Sequence, residues 1–485
     1  MKKALILFGA FCLLVQTGCL KLGKEEWERL DSGEQELYFV NKFGMNMMST
    51  YYLWTDEIQS GLNTWKYSSD PIAKVREIRY KDAAGNDIDK WSQMTDDYVS
   101  FQGQVTGNTK STGLEFALFY ADETKEHVVL AVLYTYPGSP ASDIGLKRGD
   151  VIVAINNTTL TPSNYKVVLY STILGGNPCT ITMADGSEKN LVTKEMYLNP
   201  VNCRKVIEKD GRKIGYLHFT SYTMKSCEDL VDVFKSFKEA GITELVLDLR
   251  YNGGGYSVTS EVLASMIVPL KEVLGESVFQ RDLYNAALTE AWGEEICKFT
   301  TSHEYNDEDG KHSVSTDGAN PDISKLTVIM TGNTASASEA TICGLLPYMD
   351  ITLVGERTAG KYCGGFIVEG PTFYGWVKDQ ISKDEYNAAV KNSKNWGIYV
   401  MVSRYADKDG NTPCMPDGFA PDVTVHDNPL DGYQLGDERE TMLAAAISGN
   451  AVSPLSKAPR RAHAPGPELL RHPEVRILNT RNIFE

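Results

Sequence analysis

Leu245-Val246-Leu247-Asp248-Leu249-Arg250-Tyr251-Asn252-Gly253-Gly254-Gly255 opens as an almost unbroken apolar run and ends in an acid, a base, an amide and three glycines. Residues 245–249 read as a strand buried on both faces, as in a parallel sheet covered by helices. Further strands at 214–219, 325–330 and 351–354, with helices at 224–240 and 258–267, make residues 199–449 an α/β unit. Such sheets place their ligands at the carboxyl ends of the strands, so the junctions that follow the strands are where chemistry is sought.

Three junctions carry unusual residues. In the first, the glycine run permits positive φ and close approach of another chain, and it can aim free N–H groups at an oxyanion. A tight turn would need the same residues. The second, Thr334-Ala335-Ser336-Ala337-Ser338-Glu339, starts a helix. Ser336 and Glu339 have the form of a capping box, which is the structural reading. The same geometry sets a hydroxyl where a helix N-terminus stabilises an anion, with the Ala337 amide as a natural second donor. The third is Gly355-Glu356-Arg357-Thr358-Ala359-Gly360-Lys361. A loop lysine is ordinarily solvated, and acts as a base only when burial or nearby positive potential favours its neutral form. Half of a phosphate-binding loop is present, but Tyr362 stands where that loop requires Ser or Thr, which disfavours nucleotide binding.

Upstream, residues 102–191 alternate short apolar strands with Gly, Pro, Asn and Asp turns. Gly113-Leu114-Glu115-Phe116, and the run GSPASDIGLKRGDVIVAINNTTL over 138–160, resemble a PDZ domain. That resemblance implies a groove in which the backbone of Gly113, Leu114, Glu115 and Phe116 grips a peptide's terminal carboxylate while the peptide adds to the sheet edge.

Taken together, LDLRYNGGG, TASASE and GERTAGK are similar to the three motifs of the C-terminal processing peptidases, or tail-specific proteases, a Ser/Lys class. GFAPDVTV at 418–425 is similar to a fourth. The resemblance covers about 113–445 and implies Ser336 as nucleophile, Lys361 as base, and the amides of Gly254 and Ala337 as oxyanion donors. It also implies that unfolded or C-terminal peptide segments of proteins are the substrate, and that no cofactor is needed. One departure stands out. Many members carry a lysine-orienting Gln four residues after the Lys, where this chain has Gly365. A catalytically weak or inactive peptide-binding lipoprotein is therefore the alternative reading. No His adjoins the motifs, so a Ser-His-Asp triad lacks an obvious member.

The remaining features set place and partners. Lys2 and Lys3 precede an apolar run over 4–15 and then Gln16-Thr17-Gly18-Cys19, which is similar to a bacterial lipobox with Cys19 as the lipidated residue. This implies a cell-envelope protein held to a membrane by an N-terminal lipid. With 48 Lys and Arg against 64 Asp and Glu, the net charge of −16 disfavours nucleic acid. Seven Cys remain beyond the signal, an odd number, with no CxxC and no zinc-ligand spacing, so no metal is expected. At 485 residues the chain exceeds one core. The expected fold class is multidomain α/β. It comprises a signal peptide at 1–19, a tether and small N-terminal helical domain at 20–100, and a β-rich PDZ domain at 101–195. The α/β catalytic core with a mixed sheet follows at 196–449, then a disordered, flexible tail at 450–485. An aromatic-rich stretch near 51–65 reads as helix packing rather than as a glycan site. The stretch 271–322 reads as an irregular surface excursion.

Overall fold

The computed structural model describes residues 26–307 and 310–449. The lipobox and the C-terminal tail lie outside the described residues.

Six strands form the central sheet in the order Val201–Lys209, Arg212–Phe219, Glu244–Asp248, Lys325–Met330, Ile351–Gly355, Val423–Thr424. The first pair is antiparallel and the others are parallel, so the sheet is mixed. The apolar run explains its place in the middle. Leu245 and Leu247 point into one buried cluster and Val246 into another, and Leu326, Val328 and Ile329 divide in the same way. Side chains alternate across a strand, so a strand covered on both faces needs apolar residues throughout. Helices Ser226–Ala240, Ser257–Ile267 and Ala337–Leu345 contribute to the first cluster. Helix Thr441–Ser448 packs on the opposite face through Met442, Leu443 and Ala446.

The PDZ unit is a second sheet, in the order Leu114–Tyr120, Val128–Thr135, Val151–Ile155, Cys179–Met183, Glu188–Leu191, with Thr158–Thr159 added to Val151–Ile155. It closes around a core of its own that includes Phe116, Val132, Ile152 and Ile181. Leu114–Tyr120 is an edge strand of this sheet.

Two regions differ from the sequence reading. Residues 271–322 are not an irregular excursion. They supply strands Val278–Tyr284 and Glu295–Lys298 of an all-antiparallel sheet completed by Gly397–Ala406, Gln93–Thr95 and Cys363–Glu369. Their alternation was weak because these two strands line a cavity with Gln280, Asp282 and Glu295, while Phe279 alone of its strand is nearly fully buried among the core hydrophobics. The N-terminal helices likewise share the core of the α/β unit. Phe39, Phe43 and Met47 of helix Ser32–Tyr51 belong to the same cluster as Leu245, and the Tyr374 hydroxyl donates to the Phe39 carbonyl at 2.7 Å. Asp31 caps that helix in a capping box with Glu34.

Candidate active site

The glycine loop is held from both sides. Arg250 is fully buried, and donates to Asp248 through Nε and to Glu440 through both terminal nitrogens, at 2.7 and 2.9 Å. This fixes the loop to the cap of the C-terminal helix. Asn252 donates to the Phe219 carbonyl at 2.9 Å, and its own carbonyl accepts from the Ala335 amide at 3.1 Å and the Ser338 hydroxyl at 3.0 Å. The first and second junctions are thereby stapled together. Only glycine fits at the contact. Gly254 has φ of +102°, and a Cβ there would stand 2.8 Å from both the Ala337 nitrogen and the Ser336 Cβ.

Ser336 sits in a backbone conformation that serine rarely adopts, with φ 55° and ψ −118°. Such a state costs about 1–3 kcal/mol and persists only when its surroundings over-determine it. Here the Ala335 amide is tied to Asn252, the Ser338 hydroxyl to the same carbonyl, and the Ser336 amide donates to Glu339 Oε2 at 3.2 Å. The capping-box reading is thus correct for the Glu339 arm. It does not exhaust the residue, because Ser336 and Ala337 also line a cavity of about 810 Å³.

Glu339 does more than cap. Fully buried, it also accepts from the Thr358 hydroxyl, from the Gly360 amide at 2.8 Å and from the Lys361 amide at 2.8 Å. The backbone nitrogens of Ser336 and Lys361 donate to one and the same carboxylate oxygen, Oε2. The second and third junctions, remote along the chain, meet at this group. Burial outweighs these hydrogen bonds and raises the Glu339 carboxyl to about 7.

Lys361 is fully buried, and its amine donates to the Tyr399 hydroxyl at 3.2 Å. Tyr399 lines the cavity along with Ser336, so the lysine reaches the cavity wall through this phenol. At Gly365, a Cβ would meet the Val400 carbonyl at 2.4 Å and Tyr399 Cε2 at 2.9 Å, which leaves no room for a side chain.

The two amides expected as oxyanion donors differ in their bonding. The Gly254 amide is already engaged, donating to Asn252 Oδ1 at 2.9 Å. Gly255, with φ of +143°, lines the cavity, and its amide has no hydrogen-bond partner among the described residues. Its neighbours explain why. In the bridge to Tyr222, the bonds run from Tyr222 N–H to the Gly254 carbonyl and from Tyr256 N–H to the Tyr222 carbonyl, which leaves the Gly255 amide out. Ala337, the first residue of its helix, has an amide in the position that lacks an intrahelical acceptor.

In the PDZ unit, the Gly113 amide donates to the Ser111 hydroxyl at 2.9 Å and the Leu114 amide to the Thr112 hydroxyl at 3.2 Å. Gly113 has φ of +69°, with a Cβ there only 2.1 Å from that of Ser139. Leu114 and Phe116 are buried in the PDZ core, and Glu115 is buried too. Arg148 joins this unit to the glycine loop, donating to the Tyr251 hydroxyl at 2.9 Å and to Asp427 at 2.6 Å.

Sequence reasoning passed over Glu339 as a clamp, Asn252 as a staple and Tyr399 altogether. The first two lie inside motifs already singled out, so their signal was present. Tyr399 lies in a strand of ordinary apolar composition and carried none.

Comparison with known proteins agrees with this architecture. Residues 213–425 match the model of peptidase family S41, and residues 132–170 that of the PDZ domain. The carboxyl-terminal-processing protease of Picosynechococcus is 22% identical over 472 residues, covering 89% of this chain and 99% of that protein. The chloroplastic C-terminal processing peptidase of Tetradesmus obliquus is 28% identical over 348 residues, covering 67% of this chain and 61% of that protein. A solved Bacteroides fragilis structure described as an S41 protease superposes with a TM-score of 0.63 at 21% identity, covering 84% of this chain and 97% of that one, a likeness of fold. Residues 213–425 thus match a family of serine peptidases, S41, in a chain that also carries a PDZ domain.

Proposed function

We propose that this chain is a serine endopeptidase that cuts unstructured C-terminal regions of proteins with a Ser336/Lys361 dyad. The observation that carries this reading is the shared Glu339 oxygen, which ties the backbone of a strained, cavity-lining serine to that of a buried lysine on the adjoining loop. In its uncharged form Lys361 takes the proton from Ser336 Oγ, which attacks the scissile carbonyl to give a tetrahedral oxyanion. The amides of Ala337 and Gly255 receive that oxyanion, with Gly254 shaping the turn. Each donor contributes roughly 3–4 kcal/mol. Collapse expels the amine product, which leaves with a proton from Lys361, and water then releases the acyl group with Lys361 again as base. None of these steps calls for a metal or a nucleotide.

The PDZ unit is proposed to present the substrate. Its edge strand Leu114–Tyr120 offers a backbone for strand addition. The amides of Gly113 and Leu114 would exchange their Ser111 and Thr112 hydroxyls for the terminal carboxylate. Lipidation of Cys19 would hold the protein to a membrane of the cell envelope.

The test is direct. The chain lacking residues 1–19 is incubated with an unfolded protein over roughly pH 6–10, a range that spans a depressed lysine pKa, and new C-termini are mapped by mass spectrometry. Cleavage is expected, and Ser336→Ala and Lys361→Ala should each abolish it while melting normally. Full activity in Lys361→Ala would remove the base from the scheme. Binding of C-terminal peptides without any cleavage would favour the inactive receptor.

A further inference from the structure

The amine of Lys361 is the most demanding group in the site, because a buried base works only if its lone pair is aimed. Four residues on, the backbone passes too close to Val400 for anything but glycine at 365. The facing strand Gly397–Ala406 fills that space instead with the ring of Tyr399.

We propose that Tyr399 is the positioning residue for Lys361: its hydroxyl accepts one amine proton and its ring packs against the nitrogen, so that the lone pair is turned to Ser336. This inference rests on the dyad proposed above. One placement of the amine supports it, a 3.2 Å hydrogen bond from Nζ to the phenol oxygen that also sets Nζ 5.1 Å from the ring centroid. That placement restricts the amine along the bond. Tyr399 is almost wholly buried yet lines the cavity that Ser336 lines, so it spans the distance from lysine to reaction chamber. Burial, with Cys363 and Asp89 nearby, pushes the phenol well above its ordinary pKa, so it remains an OH over any working pH. Gly365 is then no defect, since the orienting group has moved from the lysine's strand to its neighbour.

The contact makes a prediction distinct from that of a packing residue. A partner that accepts from the ammonium form favours that form, so its removal should move the lysine's titration to lower pH. Other ionisable groups lie close by: Glu339 on the Ser336 helix, Cys363 on the lysine's own strand, and Asp89, whose charge reaches both Cys363 and Tyr399. Their limbs are common to wild type and variant, so the difference between two profiles isolates Lys361.

The experiment uses the chain lacking residues 1–19. Ser336 is labelled with a fluorophosphonate at a series of pH values, and casein cleavage is followed in parallel. Tyr399→Phe is expected to lower the labelling plateau and kcat about tenfold, to leave KM within about twofold, and to displace the lysine limb to lower pH. An unchanged plateau and limb would overturn the proposal. So would a uniform loss with an unmoved limb, which is what a purely structural role produces. Should Tyr399→Phe not fold, Tyr399→Gln, which keeps an acceptor, is compared with Tyr399→Leu, which has none. Gln is expected to label several-fold faster, and equal rates would count against the idea. Lys361→Ala separates the two readings. If it labels at the wild-type rate, the dyad itself falls. If it is inert while Tyr399→Phe matches wild type, only the role of Tyr399 falls.

Discussion

Two buried carboxylate hubs hold this site, and they are built on opposite principles. Beneath the glycine loop, Arg148 and Arg250 meet Asp248, Asp427 and Glu440, so negative charge is matched by cations. Beside Ser336, Glu339 is surrounded by a hydroxyl and three amides, all neutral donors. The consequences diverge. The two arginines hold the Asp427 carboxyl down at about 2, although burial alone would raise it. Without a matching cation, burial takes Glu339 up to about 7. An ion-paired hub is rigid and indifferent to pH across the neutral range, whereas a hydrogen-bonded one gathers several backbone segments onto a single acceptor and remains titratable.

That contrast can be broken most severely at the paired hub. Arg250→Met leaves Asp248 and Glu440 buried with much of their compensation gone, and should cost about 3–5 kcal/mol in a urea melt. A loss below about 1 kcal/mol would mean that water or Arg148 replaces it.

The neutral hub should show its character in stability against pH. Glu339 binds its proton more tightly folded, at about 7, than unfolded, near 4.5. Its contribution is therefore fully present below pH 4.5 and lost as pH rises through 7, by about 3 kcal/mol in the limit. Subtracting the curve of Glu339→Gln from wild type removes every other group. The difference should fall across that window, and a flat difference would show that the carboxyl is not raised.

The smallest effect is on rate. In Glu339→Gln the amide nitrogen cannot accept, so the two amides that share Oε2 compete with a donor. A loss of about 10- to 100-fold in kcat, with KM little changed, is expected from misalignment of the two loops. Wild-type turnover would show that the clamp is dispensable.

Much of this was legible in the chain itself. The run from Leu245 to Leu249 specified a central strand because alternation leaves a doubly covered strand no polar position. TASASE and GERTAGK pointed to Ser336 and Lys361 through their resemblance to the motifs of a known family. The 271–322 stretch misled because strands that line a cavity with polar side chains resemble surface loops in composition. The expectation named Gly254, but three adjacent glycines look alike, and which amide stays unbonded depends on the Asn252 side chain and the Tyr222 bridge.

What the order of residues determined unaided was the alternation of an α/β sheet, because local patterning has the period of a strand, a helix or a turn; resemblance to known motifs added the PDZ unit and pointed to a serine and a lysine. Only the packed molecule decided that Glu339 joins the two reactive loops and that Tyr399 receives the amine. Those contacts link positions brought together by sheet pairing and burial, and no spacing along the chain encodes which side chain will fill the room that a distant glycine cannot.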